Sequence, residues 1–141
     1  MVMFPVNYVA VLVAAIANFF IGFLMHGPVA GKMWMKLANI KPTGKEKFSD
    51  MVPQMVKNFF VNLIFAYFLA LVILFVASSP YGWGGGAING ILCAIAVWLG
   101  FLVTTSAIDV IWMGKSSKLW AFEAFSSLLC CIAMGAIIGG W

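Results

Sequence analysis

The chain has 141 residues, of which 65% are hydrophobic and only 9% charged, with a mean hydropathy of +1.09. Eight basic and four acidic side chains cannot clothe a soluble domain of this size, so the apolar residues must face lipid. The basic residues are all lysines placed beside apolar runs, and the +4 net charge therefore points to anionic lipid headgroups as partners rather than to nucleic acid.

A helix needs about 20 residues to cross a hydrocarbon core about 30 Å thick. The first stretch that qualifies is 6–25, interrupted only by Asn7, Tyr8 and Asn18. No Lys or Arg precedes it, it is long for a signal core and no cleavage site follows, so it is expected to be retained as a span. A basic loop over about 29–57 comes next, with Lys32, Lys36, Lys41, Lys45, Lys47 and Lys57. Within it Phe48, Met51, Val52, Met55 and Val56 recur at helical spacing, which predicts a short amphipathic helix lying at the membrane surface. Thr43 and Glu46 have the spacing of a capping box and predict its start, and Pro53 predicts a kink or the beginning of the next span.

The second span is predicted over 59–77, and the uncharged turn SSPYGWGGG follows it. Gly84, Gly85 and Gly86 lack the lysine of a phosphate loop and read as a flexible turn. A third span is predicted over 87–108, then the turn MGKSSK with Lys115 and Lys118, then a fourth span over 119–141. Four strands could not close a barrel, so helices alone satisfy the backbone in lipid. The predicted fold is all-α: a single polytopic transmembrane domain over 1–141, with four transmembrane helices in two antiparallel hairpins plus the interfacial amphipathic helix. All eight lysines lie in the first and third connections, which are therefore expected in the cytoplasm, with both termini outside. Trp34, Trp83, Trp112 and Trp120 fall near span ends, where indole rings favour the headgroup layer.

Apolar area does not drive helices together inside lipid, so small residues and polar pairs mark the seams. Ala10, Ala14, Asn18, Gly22 and His26 form one ridge at four-residue spacing, and Asn58, Asn62, Ala66 and Ala70 form another. Gly86 with Gly90, and Gly135 with Gly139, are small-xxx-small pairs. Ala14, Gly22, Gly86, Gly90, Gly135 and Gly139 are the candidate packing residues. The same pattern serves the folding of one chain, a homo-oligomer or a membrane-protein partner.

Ionisable residues inside spans are the strongest functional pointers in such a chain. His26, Asp109 and Glu123 qualify. Asp109 and Glu123 sit about 8–9 Å along their helices from the short third connection. Asn58, Asn62 and Thr105 are predicted on the same side of the membrane, completing a candidate polar cluster. Its plainest role is ion pairing of the two carboxylates with Lys115 and Lys118 near the surface. A water-filled site for an ion or solute is the alternative. No catalytic residue, cofactor site or metal site is predicted: the cluster lacks the paired ligand spacing of helical metal motifs, and Ser126 and Ser127 have no partnered His. Cys93, Cys130 and Cys131 are odd in number, lie in apolar runs and read as packing residues.

The opening NYVAVLVAAIANFFIGFLMHGPVAGKMWMKL and the ending GKSSKLWAFEAFSSLLCCIAMGAIIGGW resemble a family of small bacterial membrane proteins known as domain of unknown function 1761. The resemblance rests on Asn7, Tyr8, Pro28, Gly31, Lys32, Trp34, Gly114, Lys115, Gly135 and Trp141, with Leu99-Gly100-Phe101 in the third span. It implies the same four spans and a multi-pass place in the bacterial inner membrane, and no activity. The chain departs from the family pattern at His26, where an aromatic is usual, and at Glu123, where an amide is usual. The ionisable cluster is thus a feature of this chain. The sequence favours a non-enzymatic helix-packing accessory subunit or homo-oligomer, with a small ion or solute transporter or channel as the alternative.

Overall fold

The computed structural model describes residues 5–141, and among them all regular structure is helical. Among the described residues, four helices are long and apolar enough to cross a membrane. Helix α1 (Tyr8–His26) opens on a cap: the Asn7 side-chain oxygen accepts from the Val9 and Ala10 amides, both at 3.1 Å. It stops at Gly27-Pro28, and a short helix α2 (Gly31–Leu37) follows that the composition of the basic loop did not signal. Helix α2 ends in a Schellman arrangement. Asn39 takes a left-handed φ of 60°, its amide donates to the Lys36 carbonyl, and the Ile40 amide donates to the Met35 carbonyl at 2.9 Å.

Helix α3 (Phe48–Ser78) is one uninterrupted element of 31 residues, about 46 Å long, which exceeds the hydrocarbon thickness. The predicted amphipathic segment is therefore the start of the second span and no separate helix. Pro53 lies six residues in, where its missing N–H costs a single backbone bond at an exposed position. The Thr43–Glu46 pair forms, but it closes a turn instead of starting the helix: the Glu46 carboxylate accepts from the Thr43 amide at 2.7 Å and its hydroxyl at 2.9 Å. Gly44 inside that turn has a φ of 75°, a left-handed conformation that cannot continue into a helix, and α3 begins only at Phe48.

The third span, Ala87–Trp112, has three parts: α4 (Ala87–Val97), a π turn over Trp98–Val103 and α5 (Thr104–Trp112). The last helix, α6 (Ser117–Gly140), is capped by the Ser116 hydroxyl. It packs along α1 and, most intimately, along α4. A Cβ on Gly135 would stand 2.8 Å from the Ala94 Cβ, and one on Gly139 would stand 2.7 Å from the Gly90 Cα. The Gly86 amide donates to the Gly139 carbonyl at 3.1 Å, pinning the glycine-rich turn to the end of α6. Gly90, Gly135 and Gly139 are thus a seam within one chain, with Gly86 as its hinge at φ 106°. Ala14 is fully buried against the same core, which includes Ala66, Leu69, Cys131 and Met134.

The four helices close a ring only at the glycine-turn end, where α3 meets α4. Toward the lysine-loop end, α3 makes no close backbone approach to the π turn or to α5 among the described residues. Neither the π turn nor α5 buries a residue. Two indoles hold this half of the span to α6 instead: Trp98 Nε1 donates to the Ala124 carbonyl and the Ser127 hydroxyl, and Trp120 Nε1 donates to the Ser106 hydroxyl, each at 3.0 Å.

Candidate functional site: a cavity among three helices

The separation of α3 from α5 leaves a cavity of about 640 Å³ in the lysine-loop half, within the range usual for small-molecule sites. Its walls are stripes of α1, α3 and α6 that run from exposed residues such as Phe48 and Met51 to the buried Cys131 and Met134, with Leu102 alone contributed by the third span. On α1 the ridge that packs through Ala10 and Ala14 changes character halfway along and becomes the cavity wall at Asn18, Gly22 and His26. Gly22 is no packing glycine: a Cβ there would meet nothing within 4 Å. On α3, Met51, Met55, Asn58, Asn62 and Phe65 follow one another at three- and four-residue steps down the wall. On α6, Glu123, the adjacent Ser126 and Ser127, and Cys130 share one face in the same way. Apolar surface predominates, with Phe19, Phe23 and Phe48 toward the lysine-loop end and Met134 toward the closed core.

The polar groups differ in how well they are satisfied. His26 Nδ1 donates to the Gly22 carbonyl at 2.9 Å, and the ring meets Trp34 and Phe122 edge-on, with centroids 5.0 and 5.9 Å away. Glu123 pairs with Lys115, whose stem folds back from the short connection. Ser127 donates to the Ala124 carbonyl at 2.9 Å. By contrast, the side-chain amides of half-buried Asn18 and Asn62 and exposed Asn58 make no hydrogen bond among the described residues, and neither does the Ser126 hydroxyl; none of these atoms is both buried and unpartnered, so each is left open to the cavity. Unpartnered amides at membrane depth are costly unless something else meets them.

The predicted cluster is divided by this arrangement. His26, Asn58, Asn62 and Glu123 share the cavity; Thr105 and Asp109 do not. Both are exposed on α5, where the Thr105 hydroxyl donates back to the Phe101 carbonyl and Asp109 makes no ion pair among the described residues. The π turn explains the difference. It accommodates one residue more than an α turn, so every later side chain stands about 100° from where an unbroken helix would place it. Asn18 belongs to the α1 ridge and Met51 and Met55 to the amphipathic segment seen in the sequence, but the pattern did not mark them as cavity wall; they line it beside Gly22 and Asn58. Among the described residues, no three His, Cys, Asp or Glu side chains are grouped to hold a metal ion.

A family model described as "Protein of unknown function (DUF1761)" matches residues 9–139, nearly the whole chain and every element that builds the cavity. The chain belongs to this family. No curated protein and no solved structure matches it. Membership accords with the resemblance seen in the sequence and with a multi-pass helical membrane protein, and the family description assigns no activity.

Proposed function

We propose that the protein works by binding a lipid-like molecule in this cavity, without catalysing a reaction or conducting ions. The observation that carries the reading is a largely apolar, half-open cavity of about 640 Å³ in the lysine-loop half of the molecule. Cys131 and Met134 at its inner end and Ala14, Ala66 and Ala94 beside them are fully buried, and they stand between it and a separate, smaller cavity of about 170 Å³ at the glycine-turn end. A channel needs a path; a binding protein needs a pocket. Access from the bilayer is offered where α3 and α5 part. The small-residue seams that could have joined subunits are occupied within the chain. As an accessory subunit or homo-oligomer, the protein would therefore meet its partners through lipid-facing surfaces such as α5. We place it in the bacterial inner membrane with both lysine loops in the cytoplasm, where Lys32, Lys36, Lys41, Lys45 and Lys47 meet anionic headgroups.

Solvent extraction of the protein purified in mild detergent tests the reading. One equivalent of a long-chain compound is expected, and a Gly22→Leu variant, which projects a side chain into the cavity beside Asn18, should lose it. Proteoliposomes showing a proton or cation flux that disappears in Glu123→Gln would favour the transporter instead.

A further inference from the structure

Resting on the binding reading, we infer that the occupant is an amphiphile with an uncharged, hydrogen-bonding head, seated on Asn18, Asn58 and Asn62 with its tail toward the bilayer. The charge on the cavity wall sets the first constraint. No lysine lines it, and its one carboxylate is already neutralised by Lys115. A phosphate head would lose its hydration for no matching cation, and a cationic head would compete with an ion pair in place. The unpartnered groups set the second. Three amides and the Ser126 hydroxyl offer donors and acceptors together, which suits a carbonyl- or hydroxyl-bearing head. Asn58 and Asn62 are four residues apart on one face of α3, and Asn18 faces the same cavity from α1, so one head can meet both walls.

Two membrane compounds share this chemistry: a quinone with an isoprenoid tail and a monoacylglycerol. They can be separated by offering the full-length protein in nanodiscs a short-tailed ubiquinone, monoolein or phosphatidylglycerol, with binding read by native mass spectrometry and by thermal shift. We expect one uncharged probe per chain, with whichever of the two binds naming the source. Asn62→Ala, which keeps the cavity and removes one head contact, should weaken that probe about tenfold, an amount equal to about 1.4 kcal/mol. Gly22→Leu should abolish its binding while the variant remains folded, because the new side chain enters open space. Stoichiometric phosphatidylglycerol that Gly22→Leu displaces, with neither uncharged probe bound, would overturn the uncharged head and leave the binding reading standing. No retained probe of any kind, with wild type and Gly22→Leu melting alike in all three lipids, would overturn both.

Discussion

Glu123 faces two ways, toward the cavity and toward Lys115. The pair is only partly shielded, with side chains 35% and 24% exposed, so solvent screening keeps its contribution near the upper end of surface ion pairs, about 1 kcal/mol. Glu123→Gln should therefore lower thermal stability in detergent by roughly that amount. Asp109→Asn should stay within about 0.5 kcal/mol, because Asp109 is exposed and makes no ion pair among the described residues. Equal losses in the two variants would contradict the division of the cluster. A second titratable group offers a pH test outside the spans. The Thr43 amide, then the Glu46 amide and the Thr43 hydroxyl, hold the Glu46 carboxylate below its ordinary value of 4.5. A depressed folded value means that the turn's support is present above the unfolded pKa and lost as pH falls through the folded one. The Thr43 amide resonance should thus move on acidification in step with Glu46, and a resonance that ignores Glu46→Gln would refute the link. The pairing of Glu123 was legible in the sequence because depth along a helix is counted in residues. The position of Asp109 was not, because a count assumes an unbroken α-helix.

That assumption fails at the scale of the element, in the third span. A π turn leaves no mark in hydropathy: Trp98, Leu99, Phe101, Leu102 and Val103 read like any apolar run. What it does predict is an asymmetry between deletions. Removing exposed Gly100 should let the span relax to a continuous α-helix with its flanking faces still aligned, whereas removing Ile95 should turn α4 off its seam. Expression level and helical circular dichroism would compare the two, and equal tolerance would count against the π turn. The seam itself was legible as glycine spacing, but its destination was not, since the same spacing joins helices of one chain or of two. Contact geometry resolves this. A Cβ at position 135 lands 2.8 Å from the Ala94 Cβ and 2.9 Å from the Gly90 carbonyl carbon, so Gly135→Ala should cost about 1–3 kcal/mol of stability. Gly22→Ala, with nothing in reach, should cost far less. A Gly135→Ala protein as stable as wild type would return the glycines to an intermolecular role.

For the whole molecule, the spans and the two lysine loops were legible because hydropathy and charge are properties of composition, whereas the cavity depends on how far apart two helices stand. The wedge shape joins the two kinds of information. All eight lysines flank the end where α3 and α5 part, and none flanks the glycine turn at the other end, where α3 meets α4. If lysine-rich connections stay on the synthesis side of the membrane, the cavity opens toward the cytoplasmic leaflet and draws its ligand from there. Single cysteines placed at Lys41 and at Tyr81, on a background lacking Cys93, Cys130 and Cys131, test this in intact cells. Tyr81 is 96% exposed in the uncharged turn, so a cysteine there should be reachable by reagent. A membrane-impermeant maleimide should label position 81 directly and position 41 only after the cells are opened. The reverse pattern would place the mouth of the cavity on the external side, and the ligand would then have to come from the outer leaflet.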